Sequence, residues 1–340
     1  MDHPDIKWIW PLPFLISLLS AISVAKSFFL QTATISMEEK TVQTFDRYRD
    51  IIPDYAGFVS ALEQPFPVAI RANTLRNSPD AFRDLMLAQG YQLERVPGVE
   101  EAFLLRGMEN PGATLEYFLG YYQIQGLTSM LPPKILAPRP GEVILDLCAA
   151  PGGKTTHLAQ LMGDRGLVVA NDFRGERINV LRSHLDRLGI LSVLVCCYHG
   201  TAFPLRRKFD RVLLDPPCSG EGTIRAGFPP PPGENPKVAR HLVRIQKGLL
   251  RQALAVLRPG GTLVYSTCTY APEENEAVVN EAIKSGQAEI LPVSISLRHS
   301  PGITSWWGEC YHPDLANTVR IYPHQVDSWG FFIAHLRKRG

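Results

Sequence analysis

Two cysteines stand in polar turns directly after apolar runs. Cys218 follows RVLL (211–214) within DPPCSGEG (215–222), and Cys268 follows TLVYST (262–267) within YSTCTYAPEEN (265–275). A thiol at such a place can serve as a nucleophile once its proton is lost. A single cysteine after a strand is more often a packing residue. Two of them, each at a strand end in a polar turn, form a pattern that packing does not require. Asp215 stands just ahead of the first thiol. Lys154, in CAAPGGKTTHL (148–158), adds a cation that can support a carboxylate or thiolate, or simply pair with Asp215.

The segment 148–158 resembles a phosphate loop but fails its template. That loop needs G-x-x-x-x-G-K-[ST]. Counting back from Gly153-Lys154, the first glycine belongs at 148, where the chain has Cys148. An ATP-dependent enzyme of that kind is disfavoured. The alternative is a glycine turn after a first strand, which lets the backbone approach an adenosine-bearing cofactor. Asp172 closes the next apolar run, LVVAND (167–172), where an acid accepts ribose hydroxyls in such folds. With Asp172 and the Asp215-Pro216-Pro217 turn, the pattern reads as a class I S-adenosylmethionine fold. The bland alternative is another doubly wound enzyme with an incidental Asp172.

The elements that must position these residues alternate in type. VILDL (143–147), LVVAND, SVLVCC (192–197), RVLLD (211–215) and TLVYST are apolar strand patterns. Between them lie the helical patterns THLAQLM, ERINVLRSHLDRLG and a long helix over about 238–257, which ends at the Pro259-Gly260-Gly261 turn. Such alternation implies a parallel sheet covered on both faces, with ligands outside the strand C-termini. TVRIYP (318–323) and GFFIAHL (330–336) add antiparallel strands. In this fold the fourth and fifth strands are parallel neighbours, so their ends lie about 5 Å apart and both thiols face one cleft. Upstream, 37–63 has helical spacing, FPVAIRANT (66–74) and AFLLR (102–106) read as strands, and Asn77-Ser78-Pro79-Asp80 starts a helix that Gly90 ends. The reading gives a small α/β domain over 37–120 and a catalytic domain over 121–340. The sheet is expected to be mostly parallel, Rossmann-like and seven-stranded.

With 45% hydrophobic and 20% charged residues among 340, the chain can bury a normal core and is not a disordered tail. A net charge of +2 makes no global field for nucleic acid, so any basic surface is local. Arg206-Arg207-Lys208 and Arg337-Lys338-Arg339 are candidates, though such runs are usually solvated surface. The six cysteines form no C-x-x-C pair, which argues against a zinc cage and suits reduced cytosolic thiols. From Trp8 to Ala25 the chain carries no charge. A membrane helix is weakened by Pro11, Pro13 and three serines, and a signal peptide by Asp2 and Asp5. The favoured reading starts the protein at Met37, with 1–36 left out of the fold.

LDLCAAPGGKTT, ANDFRGERINVLRSHLDRLG, LLDPPCSGEGTIR, GGTLVYSTCTYAPEENEAVV and RIYPHQVDSWGFFIAHLRK together resemble the Nop/Sun (RsmB/Nop/Sun) family of RNA cytosine-5 methyltransferases, from about residue 38 to the end. The resemblance implies S-adenosylmethionine as donor, rRNA or tRNA as substrate and 5-methylcytosine as product. It implies Cys268 as the nucleophile adding to C6, Asp215 at the base edge near N3, and Cys218 assisting release of the C5 proton. Methylases of exocyclic amino groups often carry an aromatic residue where Cys218 stands, which suits stacking instead of adduct resolution. Lys154 completes the catalytic set. The expected cofactor contacts are Cys148, Ala149, Ala150, Pro151, Gly152, Gly153, Lys154, Asp172, Arg177, His199 and Asp215. The small domain resembles the family's RNA-binding portion, with Arg71 and Arg76 of IRANTLR (70–76) meeting phosphate or only solvent. No metal and no stable protein partner are expected, and the protein is read as a cytoplasmic monomer. Departures are His199-Gly200 where many members carry an acid, Gln125-Gly126 in place of Gln-Glu, and PPPPGEN (229–235) in place of a basic loop. The competing reading is a catalytically inactive RNA-binding or assembly factor on the same fold, against which both thiols argue.

Overall fold

A computed structural model describes residues 44–108, 110–225 and 236–340. The uncharged run at 8–25, the Met37 start and Pro229–Pro232 lie outside the described residues. The chain forms two compact units, Met1–Asp50 and Ile51–Gly340. In the described part of the first, the 3-10 turn Asp46–Tyr48 is the regular element besides one flanking helical turn. Among the described residues, no helix is long and apolar enough to cross a membrane.

The second unit opens with helix α1 (Tyr55–Leu62) and a four-stranded antiparallel sheet. Its strands are β1 (Val68–Ala72), β2 (Gln92–Val96), β3 (Val99–Arg106) and β4 (Tyr122–Ile124), in the order β2-β3-β1-β4. Helix α2 (Pro79–Ala88) covers it, burying Phe82 and Met86 against Ile70, Phe103 and Tyr122. Ser78 caps this helix by accepting the Ala81 N–H at 3.2 Å, which satisfies one of the helix's free donors. Gly90, just past its end, has φ +85°, a conformation glycine takes without strain. β2 escaped the sequence reading because QLERV is an edge strand whose Gln92, Glu94 and Arg95 are exposed.

The large sheet holds β5 (Val143–Asp146), β6 (Leu167–Asn171), β7 (Val193–Cys196), β8 (Phe209–Leu214), β9 (Leu257–Thr267), β10 (Ala288–Leu291), β11 (Ser300–Pro301), β14 (Val319–Ile321) and β15 (Phe331–Lys338). A separate two-residue hairpin pairs β12 (Ser305–Trp306) with β13 (Glu309–Cys310). The order β11-β14-β15-β9-β8-β5-β6-β7 runs parallel from β7 to β9 and antiparallel from β15 outward, with β10 on β15. Short β10 and β11 therefore extend the expected seven strands to nine.

Successive strand residues face opposite sides, and each side has its own helices. Leu145, Val212, Leu214, Leu263 and Tyr265 pack with Leu250 and Leu254 of α6 (Pro236–Val256) and Val279 and Ile283 of α7 (Glu276–Lys284). Ile144, Leu213, Val264 and Ile333 pack with Leu131 and Leu136 of α3 (Leu131–Leu136) and Leu158 and Met162 at α4 (Gly153–Leu161). Helix α5 (Gly175–Leu188) follows β6 and ends at Gly189, φ +71°. β9 starts earlier than its apolar run: Phe209 pairs with Leu257 but Arg211 with Thr262. Residues 258–261 thus bulge opposite Asp210, with Gly260 at φ +70°.

Candidate active site

β8 and β9 are parallel neighbours, Leu214 opposite Tyr265. Their C-terminal turns therefore meet, and the Cys218 and Cys268 sulfurs lie 3.4 Å apart. The two turns are stitched by groups that the sequence reading did not single out. Buried Glu274 accepts the Ser219 N–H at 3.0 Å and the Gln246 amide at 2.7 Å. Gln246, reaching from α6, also donates to the Pro217 carbonyl at 2.9 Å. Gly222 N–H donates to the Cys268 carbonyl at 2.8 Å, and the Ser219 and Thr269 hydroxyls are 2.6 Å apart. Behind the Cys268 turn, Arg320 and Glu276 form a fully buried ion pair, with Arg320 Nε 2.6 Å from Glu276 Oε1 and Nη1 2.9 Å from the Tyr270 carbonyl.

The hydrogen bond with Cys268, burial, and the nearby Glu274 and Asp215 carboxylates push the Cys218 thiol well above its usual range. Asp215 takes a 2.7 Å ion pair from Lys154 and a 2.8 Å hydrogen bond from the Ser266 hydroxyl. Lys154 also lies 5.3 Å from the centre of the Phe331 ring, a favourable cation–ring contact. Lys154 comes from the first turn of α4, so this pair ties the glycine loop to the end of β8.

The glycine loop folds over the end of β5. Ala149 N–H donates to the Asn171 carbonyl at 2.8 Å, and the Ala150–Pro151 peptide is cis. Gly152 has φ +108°, and a side chain there would start 2.7 Å from Leu181 of α5. Asp172 accepts Ala150 N–H at 3.3 Å and Arg174 N–H at 3.0 Å, and pairs with Arg177 at 3.1 Å. Arg177 also donates to the Ala150 carbonyl. Cys148, Ala149, Ala150, Pro151, Gly152, Gly153, Asp172 and Arg177 are therefore one structural group. His199 stands aside from it, exposed, 2.8 Å from the Thr201 hydroxyl, with the exposed Phe173 ring 5.9 Å away. Burial raises the Cys148 thiol well above its usual range.

Two buried groups at this loop have unmet hydrogen-bonding capacity. Asp146 accepts the Thr155 hydroxyl at 2.7 Å through Oδ2, while Oδ1 is unpartnered among the described residues. Burial above all, and then the Asp215 charge, raise its pKa to about 7 against the pull of the Thr155 hydrogen bond. Gln125 donates to the Ser129 carbonyl at 3.0 Å, and its Oε1 is also unpartnered. An acid past β6, a bare-backbone turn and spare buried acceptors form a donor and acceptor set that fits an adenosine-bearing group with an amino-acid tail.

Arg71 corrects the sequence reading. It meets neither phosphate nor solvent: it is 1% exposed, with Nη1 3.1 Å from Gln160 Oε1 and Nη2 2.8 Å from Thr156 Oγ1 on α4. It fastens β1 to the helix that carries Lys154, and burial lowers its pKa to about 9. Glu101 of β3 does the same nearby, 2.9 Å from His157 and 3.0 Å from Lys134. Arg76 is exposed. The basic runs have local partners: Lys208 and Lys338 donate to the Ala255 and Leu257 carbonyls, and Arg337 pairs with Glu289. Gly126 leaves room for Trp329, whose ring would stand 3.0 Å from any Cβ there. Asn171 was missed too; its amide joins the Leu147 and Tyr198 carbonyls and so holds the ends of β5, β6 and β7 together. Among the described residues, no three or more His, Cys, Asp or Glu side chains group to hold a metal ion.

Comparison with known proteins agrees with this architecture. The family described as 16S rRNA methyltransferase RsmB/F matches residues 133–337, and the N-terminal domain of 16S rRNA methyltransferase RsmF matches 43–126. The tRNA (cytosine(49)-C(5))-methyltransferase of Pyrococcus abyssi is 37% identical over 89% of this chain and 96% of its own length. The 28S rRNA (cytosine-C(5))-methyltransferase of Mus musculus is 36% identical over 89% of this chain, which spans only 40% of that protein. A crystal structure of a methyltransferase homolog protein from Pyrococcus horikoshii superposes with a TM-score of 0.79 at 36% identity, covering 89% of this chain and 99% of that one. The chain belongs to the RsmB/Nop/Sun family of RNA cytosine-5 methyltransferases.

Proposed function

We propose that this protein transfers a methyl group to C5 of a cytosine in rRNA or tRNA, through a covalent adduct between Cys268 and C6. The observation that carries the reading is the pair of thiols 3.4 Å apart beside the Lys154–Asp215 pair. C5 of cytosine is a poor nucleophile. Addition of the Cys268 thiolate to C6 makes C5–C6 a single bond and shifts the double bond to C4–C5, an enamine, while N3 takes up a proton through the Lys154–Asp215 pair. S-adenosylmethionine, when bound, supplies an electrophilic methyl group to C5. The C5 proton then leaves by way of Cys218 or an adjoining water. The C5–H electrons re-form the C5–C6 double bond, the C6–S bond breaks with its electrons returning to Cys268 as thiolate, and N3 gives its proton back to the Lys154–Asp215 pair.

The glycine loop, Asp172, Arg177 and His199 would hold the cofactor, with Asp172 at the ribose and Phe173 and His199 beside the adenine. The target base must leave any stack to reach the thiols, which favours loops and single strands. The small domain, read as 37–120 ahead of a catalytic domain over 121–340, would bind RNA as the family resemblance implies. The protein would work as a cytoplasmic monomer. The test is incubation with S-adenosylmethionine and RNA transcribed without modifications, followed by nucleoside mass spectrometry and bisulfite sequencing. The expected product is 5-methylcytidine in RNA, with none in DNA of the same sequence. Methylation at an exocyclic amino group, or no transfer, would overturn the reading.

A further inference from the structure

The solvent face of α5 takes no part in the chemistry above. A surface cleft of about 630 Å³ there is lined by Phe118, Asn179, Arg182, Ser183, Asp186 and Arg187. Phe118, at the end of the helical turn Leu115–Phe118, is 74% exposed. Water is a poor setting for so large an apolar ring, and a ring left bare beside cations suits a flat π-system. Arg187 is fixed in place, 3.8 Å above the Tyr117 ring, and donates to the Tyr117 and Tyr122 carbonyls at 2.8 and 2.9 Å. Arg182 is exposed one turn earlier. Exposed Arg76 reaches within 3.6 Å of where a side chain at Gly189 would begin, so basic character continues past the helix end. Asp186 is the one acid in the lining. The helix also touches the cofactor loop, with His184 Nδ1 2.8 Å from the Pro151 carbonyl. Its 14 residues span about 21 Å.

We propose that this cleft binds single-stranded RNA flanking the target cytosine, with one base stacked on Phe118 and phosphates met by Arg182 and Arg76. The proposal rests on the RNA-methylation reading and names a surface that the thiol chemistry does not need. Stacking is tolerant of sequence because every base has a π-face, whereas the arginines read charge alone. The cleft would therefore supply affinity and orientation along the strand, and not the choice of base.

Fluorescence anisotropy with a labelled single-stranded RNA of about twelve nucleotides, a length within the site sizes of such surfaces, tests it. Phe118→Ala should weaken binding by about thirtyfold, the middle of the range for one base–aromatic stack, and Phe118→Trp should restore it. Arg182→Ala should reduce the slope of log affinity against log salt by about 0.7, as expected for one phosphate contact on a single strand. Thermal melting of each variant should match the parent protein. If the parent methylates RNA while both alanine variants bind it with unchanged affinity and salt slope, the cleft proposal fails and the methylation reading stands. If the parent protein neither binds nor methylates RNA, both fall.

Discussion

Replacing Asp146 by Asn should stabilise the cofactor-free protein at pH 8 and lose that advantage at pH 5. In the folded chain this buried carboxyl ionises near 7, against an ordinary value of 3.8. Between those values the folded state holds a proton that the unfolded state has released, so stability falls as pH rises from about 4 to 7 and levels off above it. A difference of about three units corresponds to about 4 kcal/mol carried by the folded state at pH 8. Asn removes that cost. It keeps an oxygen for the Thr155 hydroxyl, which now donates to Asp146 at 2.7 Å. It also puts an NH₂ where Oδ1 has no partner, and an unmet buried donor costs about 1–3 kcal/mol. The net gain at pH 8 is therefore about 1–3 kcal/mol, or roughly 2–12 °C in melting temperature for a domain of this size. At pH 5 the wild-type acid is mostly protonated in the fold, most of the first contribution vanishes, and the variant should be no more stable than wild type. Paired thermal melts at pH 5 and pH 8 read the change directly, since shared titrations cancel between the two proteins. An equal shift at both pH values, or a loss at pH 8, would refute the reasoning.

Glu274→Ala should lower the methyl-transfer rate by about a hundredfold, the usual cost of displacing a reacting group by about 1 Å, with RNA affinity unchanged in a parallel binding titration. The cause is loss of the acceptor that fixes Ser219 and Gln246 around Cys218. Arg320→Leu strands the buried Glu276 carboxylate and should cost about 3–5 kcal/mol in urea unfolding, with Arg320→Leu/Glu276→Leu recovering much of it.

The thiol site was legible because both cysteines sit at the ends of strongly apolar strands, and strand order alone brings those ends together. Asp172 and the glycine loop were legible for the same reason, as each follows a continuous apolar run. What stayed hidden depends on partners distant in the chain. Arg71 looks like any basic residue in IRANTLR, and nothing local says that Thr156 and Gln160 receive it 85 and 89 positions later. Glu274 lay in plain view in YAPEEN, but its partner Gln246 sits in mid-helix, where glutamine is an ordinary helix former. β2 and β4 were missed because one is a charged edge strand and the other has three residues, too few for a period to emerge. The Gly126 departure has a packing cause in Trp329, which no pattern around residue 126 announces.

The covalent route is tested most directly by trapping on RNA. Wild type, Cys218→Ala, Cys268→Ala and the double variant are incubated with RNA and S-adenosylmethionine and run on a denaturing gel. Attack precedes resolution, so Cys218→Ala alone should accumulate an RNA–protein band that survives denaturation, and the other two variants should give none. A band with Cys268→Ala and none with Cys218→Ala would make Cys218 the nucleophile and contradict the assignment of the two thiols.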